Sequence, residues 1–209
     1  MNIALLSGYS DKLADLVAIT HPNHEQYAKR HRYTWITSNQ PYTKEGHSGF
    51  FERILNLLSC HDAVLVHDAD VLFMNHRITV ESLICPDSDG VVMARETHGW
   101  WPINNGVTLF VAGTKARYFC DRMIKDFETW SAYQWLWQTH CWNLMQNEQR
   151  IADCVRLVHP KVMNATVFQS ESAWQLGDFI VHFLGMEIAD KIKFAKDYIK
   201  MAGEPILLQ

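Results

Sequence analysis

A short apolar run that ends on two acids constrains this sequence most. Residues 63–66 read Ala-Val-Leu-Val, and such a β-branched stretch predicts a strand buried on both faces of a sheet. Asp68 and Asp70 follow, separated by the small Ala69. Because open α/β sheets bind ligands at the carboxyl ends of their strands, these two carboxylates are placed to hold a divalent cation over a phosphate-bearing ligand.

The elements around this strand predict one mixed α/β domain spanning residues 1–209. Strands at about 2–6 and 33–37 and an amphipathic helix from Phe50 precede it, which gives a strand–helix–strand–helix–strand beginning. Pro22 fits the first turn of a helix and therefore predicts two successive helices before the second strand, at about 13–20 and 22–31. Further strands are expected at 91–94, 107–111, 155–158 and 179–183, and further helices at 116–129, 132–147 and 188–201. Ser131 with Gln134 matches a capping box for the helix from 132.

Composition excludes several function classes. The net charge of -4 argues against a nucleic-acid partner, and no apolar run approaches the ~20 residues of a membrane span. Met1 leads straight into an apolar strand without a signal peptide. The five cysteines are odd in number and form no Cys-x-x-Cys, so we expect unpaired thiols in the cytoplasm or another reduced compartment.

A lone Asp-x-Asp is weak evidence, and the sequence contains a second copy for comparison. Residues 87–89 read Asp-Ser-Asp between Pro86 and Gly90, where short polar residues serve the geometry of a turn. The first copy differs because a buried strand delivers it. Its structural alternative is a solvated strand end.

Two further motifs carry polar groups at strand ends. Asn104-Asn105-Gly106-Val107 enters a strand, although a plain turn is an equal alternative. His182 ends the strand near residue 181, and Gly185 permits close approach of the backbone three residues later. Taken alone, such a histidine is more often a hydrogen-bonded structural residue than a metal ligand.

Together these motifs resemble those of the GT-A glycosyltransferases, and more narrowly the galactosyl- and xylosyltransferase family of fungal and plant Golgi enzymes. That family reads Asp-Ser-Asp-Ala-Leu-Phe where residues 68–73 read Asp-Ala-Asp-Val-Leu-Phe. It reads Asn-Thr-Gly-Val at 104–107, and Thr-His-Phe-Val-Gly where 181–185 read Val-His-Phe-Leu-Gly. Residues 23–31 also look like the family's helix before its second strand. The resemblance runs in order through most of the chain.

The resemblance implies a GT-A fold, a Rossmann-like, mixed and mostly parallel sheet flanked by helices. It implies transfer of a sugar, with retention of configuration, from a nucleotide-diphosphate sugar (usually a UDP-sugar) to a hydroxyl of a glycan or glycoprotein. Asp68, Asp70 and His182 would bind the metal, and carboxylate with imidazole suits Mn²⁺ somewhat better than Mg²⁺. The Golgi members are longer and membrane-anchored, so this chain would be a compact viral or bacterial version or one module of a longer protein.

Further site residues follow from the same resemblance. Ser7, Gly8 and Tyr9 would meet the nucleotide, and Arg53 the diphosphate or the donor sugar. Gln138 and Asp70 are the other candidate catalytic residues. Additional candidate contacts to the donor are Asn105, Gly185 and Lys191. For Arg53, Tyr9, Gln138 and Lys191, a solvated or packing role is the competing interpretation.

The sequence also departs from the family. Trp137 stands where the family has an acid before Gln138, and Met186-Glu187 stand where it has a lysine. Lys191 or Lys193 could replace that lysine. An aromatic loop at 97–101 offers His98, Trp100 and Trp101 as sugar contacts, with packing as the alternative.

Three other functions remain open from the residues alone. A phosphatase with an aspartate nucleophile would carry its acids on the first strand, with a threonine soon after. A nucleotidyltransferase would need a phosphate loop rich in glycine and basic residues, which Ser7-Gly8-Tyr9 does not supply. A non-catalytic carbohydrate- or nucleotide-binding domain would not require Asp68, Asp70 and His182 to share a metal.

Overall fold

In a computed structural model of the chain, the described residues are 1–38, 49–86, 89–96, 102–132, 136–168 and 171–202. They form two sheets with helices on both sides. The strands are β1 Ile3–Gly8, β2 Thr34–Ser38, β3 Ala63–Asp68, β4 Val71–Phe73, β5 Gly90–Arg95, β6 Ile103–Val111, β7 Val155–Val158, β8 Ala165–Thr166 and β9 Ile180–His182.

The main sheet has six strands in the order β2-β1-β3-β6-β5-β7. Strand β1 pairs in parallel with β2 and β3, and β5 pairs in parallel with β7. Strand β6 runs antiparallel to both of its neighbours, β3 and β5. The sheet is therefore mixed and mostly parallel, which confirms the expected fold class.

The small sheet has the order β4-β9-β8, with β4 antiparallel to β9 and β8 parallel to it. Strand β3 ends at Asp68 and β4 begins at Val71. The chain thus passes from the large sheet to the small one within the Asp-x-Asp segment.

The helices cover both faces of the main sheet. They are α1 Ala14–His31, α2 Phe50–Leu58, α3 Thr114–Lys125, α4 Phe127–Trp130, α5 Leu136–Asn147, α6 Gln149–Ala152, α7 Pro160–Met163 and α8 Ile188–Tyr198. The α1 side buries Leu5, Leu65 and Tyr27 in one core, and the α2 side buries Phe51 and Phe110 in another. Alternate residues of β1 and β3 enter opposite cores, as expected for a strand covered on both faces.

The prediction of two helices around Pro22 is wrong, because α1 continues through it. Proline removes one hydrogen bond of the helix and normally ends or kinks it. Here Pro22 lies on the exposed side, whereas Leu16 and Val17 before it and Tyr27 after it are buried. Tertiary packing on both sides of the proline therefore holds the helix together, and the lost hydrogen bond falls on the solvent side.

The helix predicted over 116–129 is two helices, α3 and α4, with the break at Asp126. The Asp126 carboxylate accepts hydrogen bonds from Arg122 and from His140 Nε2 of α5, and its backbone leaves the helical region. This tertiary contact is invisible to helical periodicity. The capping partner Gln134 lies outside the described residues.

The predictions on membrane spans and on cysteine pairing can be compared with the structure. In the part of the chain described, no helix combines the length and apolar character needed to cross a membrane. Within the same residues no disulfide forms, and Cys120, Cys141 and Cys154 are buried.

Candidate functional site

Asp68, Asp70 and His182 converge on one point. One ligand atom from each lies within 4.8 Å of the other two, and among the described residues no other group of three acids, histidines or cysteines does so. The convergence predicted from two separated strand ends is confirmed. More than a hundred residues separate the acids from the histidine.

The strand pairing explains the convergence. Val71 of β4 is the register partner of His182 in β9, so Asp70, one residue before Val71, lies beside the histidine. The Phe183 N–H donates to the Asp70 carbonyl oxygen at 3.0 Å and extends that pairing. Asp68 closes the adjacent end of β3 in the main sheet. The site therefore lies where the two sheets meet.

Buried polar side chains of helix α1 hold the backbone of the Asp-x-Asp segment by hydrogen bonds. Thr20 Oγ1 donates to the Ala69 carbonyl oxygen at 2.7 Å, and His24 Nε2 lies 2.8 Å from the Val71 carbonyl oxygen. Asn23 bonds both the N–H and the C=O of Phe73, at 2.8 and 2.9 Å. The i, i+3, i+4 spacing places all three side chains on one helix face. The sequence motifs did not identify this role.

Gly106 of β6 lies directly beneath the site. A Cβ atom at this position would be 2.2 Å from His182 Cε1 and 2.9 Å from Asp68 Oδ2. Since ordinary contacts begin near 3.4 Å, any side chain here would displace the histidine. The interpretation of this motif as part of a strand is confirmed and the alternative of a plain turn is not, and within the strand close packing requires the glycine.

The charges at the site are paired. His182 Nε2 lies 3.3 Å from Asp70 Oδ1 and 3.7 Å from Asp68 Oδ2, and Lys191 Nζ lies 2.6 Å from Asp70 Oδ2. Burial alone would raise the pKa of Asp70, but His182 and Lys191 outweigh it and lower that pKa. Burial opposes protonation of His182, yet Asp70 and Asp68 raise its pKa.

Asp68 differs from its partner in being accessible. Half of its side-chain surface is exposed, compared with 8% for Asp70. Loss of hydration against the surrounding protein, and then repulsion from the Asp70 carboxylate, raise the pKa of Asp68. The two acids therefore divide into a buried, cation-paired carboxylate and one that opens toward solvent.

This donor set fits a divalent cation. Two carboxylates and one imidazole are hard and intermediate ligands of the kind that Mn²⁺ accepts, and the ring nitrogen facing the acids is Nε2. The open side of Asp68 leaves the coordination sphere accessible to a further ligand. Asp68, Asp70 and His182 are the residues that would hold the ion.

The predicted nucleotide contacts lie at the same sheet edge. Gly8 is the register partner of Asp68 and of Ser38, so the end of β1 adjoins the acids. The Tyr9 N–H donates to the Ser38 carbonyl oxygen, and its ring meets the His21 ring edge-on at 5.1 Å. Ser7 is buried, and its hydroxyl has no hydrogen-bond partner among the described residues.

The other predicted site residues differ in whether they contact the site. The Asn105 N–H donates to Gln138 Oε1 at 3.1 Å, so the Gln138 amide oxygen points at the backbone beside Gly106. Arg53 is half-buried in the first turn of α2, and Gly185 adopts a positive φ of 66° just past His182. Lys191 reaches the site, whereas Lys193 is exposed.

One departure from the family motif and the second Asp-x-Asp also acquire a structural account. Trp137, which replaces an acid, is buried against Phe51 with ring centroids 5.4 Å apart. Asp89 of the second Asp-x-Asp accepts the Lys115 N–H at 2.9 Å at the start of α3, which supports its structural role. His98, Trp100 and Trp101 lie outside the described residues.

Comparisons with known proteins support the fold. No family model matches the sequence, and no curated protein sequence matches it. A glycosyltransferase involved in glycosylation of the major capsid of PBCV-1 superposes with a TM-score of 0.74 at 19% identity, covering 94% of this chain and 100% of that one. The galactosyltransferase LgtC, in complex with donor and acceptor sugar analogues, gives 0.57 at 12% identity over 97% and 95% of the two chains. GlyE of Streptococcus pneumoniae TIGR4 gives 0.57 at 11% identity over 94% and 65%. The chain has the GT-A glycosyltransferase fold, as the motifs predicted.

Proposed function

We propose that this protein is a metal-dependent glycosyltransferase. It moves a sugar from a nucleotide-diphosphate sugar, a UDP-sugar in our proposal, to a hydroxyl of a glycan or glycoprotein acceptor with retention of configuration. The observation that carries the proposal is the convergence of Asp68, Asp70 and His182 at the strand ends of a GT-A sheet. The strand ends are the edge at which open α/β sheets bind ligands.

Asp68, Asp70 and His182 would hold the cation, with Mn²⁺ as the expected metal and Mg²⁺ as an alternative. When bound, such an ion offsets the charge that develops on the departing diphosphate. The open side of Asp68 is where the diphosphate would approach. Gly8 and Tyr9, beside Asp68 at the end of β1, would then face the nucleoside.

Lys191 replaces the lysine that the family motif places nearer to the histidine. Its ammonium group already lies 2.6 Å from Asp70 Oδ2, with 17% of the side chain exposed. From this position it can contribute a second positive charge beside the diphosphate. Arg53 is proposed as a further contact from α2.

Gln138 is the proposed group beside the sugar ring. Because its Oε1 accepts the Asn105 N–H, the amide is fixed against β6 at the residue next to Gly106. Helix α5 contains no Asp or Glu, and Trp137, which stands where the family has an acid, is directed into the core. A stabilising amide rather than a covalent nucleophile is therefore the proposed role.

The products of donor turnover distinguish this proposal from its alternatives. We expect slow hydrolysis of one sugar nucleotide in a panel of UDP-, GDP- and dTDP-sugars with Mn²⁺, releasing the nucleoside diphosphate and free sugar. A nucleotidyl- or phosphoryl-transfer enzyme would release a nucleoside monophosphate or inorganic phosphate, and a binding domain would release nothing. Either outcome would contradict the proposal.

A matched pair of variants tests the site. Asp70→Asn removes a carboxylate from the convergence point, and Asp89→Asn makes the same change in the Asp-x-Asp copy that caps α3. Asp70→Asn is expected to abolish turnover. Asp89→Asn should retain it, with at most about 1 kcal/mol lost from the free energy of unfolding, the usual cost of a weakened helix cap.

A further inference from the structure

We propose that Asn164 and Asn104 are positioning residues that fix the ring proton of His182, so that its Nε2 carries the lone pair offered to the cation. This inference rests on the proposed function, since it concerns the histidine of the metal site. It assigns a role to two asparagines, one of which belongs to no motif recognised in the sequence.

A chain of hydrogen bonds, buried except at its Glu96 end, runs from His182 to Glu96. His182 Nδ1 lies 2.9 Å from Asn164 Oδ1, and Asn164 Nδ2 lies 2.8 Å from Asn104 Oδ1. Asn104 Nδ2 lies 3.0 Å from Glu96 Oε2. His182 is 3% exposed, Asn164 2% and Asn104 9%, so water does not compete for the His182–Asn164 and Asn164–Asn104 bonds.

The far end of the chain determines the orientation of Asn104. A carboxylate oxygen accepts hydrogen bonds, and the Asn104 group that donates to Glu96 Oε2 is its NH₂. The backbone N–H of Gly106 only donates, and it lies 2.8 Å from the other side of the same amide, which must therefore be the oxygen. Two contacts of opposite character thus permit one orientation.

That orientation passes to Asn164 and then to the histidine. Because Asn104 presents its oxygen, Asn164 must donate to it with its NH₂ group and so turn its own oxygen toward His182. An amide oxygen cannot donate, so Nδ1 must carry a hydrogen. A neutral imidazole has one N–H, which leaves the lone pair on Nε2, the nitrogen that faces Asp68 and Asp70.

This device is needed because the acids favour the opposite arrangement. Asp70 Oδ1 lies 3.3 Å from Nε2 and would draw the single proton of a neutral ring to that nitrogen, where it blocks coordination. The asparagine chain holds the proton at Nδ1 instead. A ring N–H bonded to an oxygen acceptor also orients the imidazole and increases its basicity as a ligand.

The proton can be located in the wild-type protein by ¹⁵N NMR of histidine-labelled, metal-free material, at a pH where the His182 ring is neutral. The His182 signals are assigned by their loss in His182→Gln. We expect a protonated Nδ1 and an unprotonated Nε2. Adding diamagnetic Mg²⁺ should leave the proton on Nδ1. A neutral ring protonated at Nε2 would overturn the proposal.

Calorimetric titration with MnCl₂ measures the consequence. Asn164→Ala should weaken Mn²⁺ binding about 10- to 100-fold, the usual effect of losing a partner that orients a ligand. Asn75→Ala is the control, because Asn75 also uses both sides of its amide, toward Gly177 and Arg77, but does not bond His182. Its Kd should match that of the wild type.

An unchanged Kd in Asn164→Ala would overturn the positioning role. A wild-type protein that bound no Mn²⁺ would instead remove the proposed function. The ¹⁵N spectrum would still report the ring proton in that case, so the two failures are distinguishable.

Discussion

Gly106→Ala is the substitution whose effect the structure defines most closely. The new Cβ would lie 2.2 Å from His182 Cε1, and ordinary contacts begin near 3.4 Å, so the ring must move by about 1.2 Å. Metal–ligand distances tolerate about 0.2 Å. His182 therefore stops being a ligand, and we expect Mn²⁺ affinity to fall at least about 100-fold, or about 2.7 kcal/mol. Overpacking of this kind also lowers the free energy of unfolding by about 1 to 3 kcal/mol.

Mn²⁺ calorimetry and urea unfolding measure the two effects separately. Gly49→Ala is the matched control, because a Cβ at Gly49 meets nothing within 4 Å. It should leave Mn²⁺ affinity unchanged and shift stability by no more than about 0.5 kcal/mol. If Gly106→Ala bound Mn²⁺ as tightly as the wild type, the placement of His182 over β6 would be refuted.

The remaining predictions concern charge and packing. Burial lowers the pKa of His67 to about 4, below the roughly 6.5 of an unfolded histidine, so the unfolded state binds more protons between these values. The free energy of unfolding should fall by up to about 3 kcal/mol on acidification through this window, and His67→Asn should flatten that slope in urea unfolding. Lys191→Met removes a cation from Asp70 and should tighten Mn²⁺ binding about tenfold in the absence of nucleotide, measured by calorimetry. Phe51→Ala, in the α2-side core, should lower the free energy of unfolding by about 3 to 5 kcal/mol. Phe168→Ala, at a 38% exposed position, should lower it far less, and thermal unfolding measures both.

Each of these has an opposing result. A wild-type pH slope in His67→Asn would mean that this ring is not held neutral by burial. Weaker Mn²⁺ binding in Lys191→Met would mean that the lysine supports the cation site rather than competing for Asp70. Equal thermal shifts in the two phenylalanine variants would contradict the assignment of Phe51 to the core.

The convergence of the three candidate ligands could be predicted because each follows or ends a locally recognisable strand. Asp68 and Asp70 follow a β-branched run, and His182 ends another, so local pattern and a general rule about strand ends bring them together. Pro22 shows the limit of that approach. Its local preference predicts a helix start, but packing on both sides of it keeps α1 continuous.

The residues that support the site could not be predicted, because they too act through tertiary contacts and not through local pattern. Asn164 bonds His182 and Asn104 across 18 and 60 residues of sequence, and Thr20 bonds Ala69 across 49. Such contacts depend on the register of distant strands and leave no periodic signal. The motif placed Gly106 at the entrance to a strand, but the need for glycine at this position could not be predicted, because it arises from a side chain that approaches from another sheet.

The central claim is that Asp68, Asp70 and His182 hold a cation that bridges the protein to a nucleotide diphosphate. Titration of UDP into the protein by calorimetry, with Mn²⁺ and then with excess EDTA, tests it most directly. We predict binding with Mn²⁺ and none measurable with EDTA, and loss of the Mn²⁺-dependent binding in Asp70→Asn. UDP binding of equal affinity in EDTA, or undiminished binding by Asp70→Asn, would contradict the account.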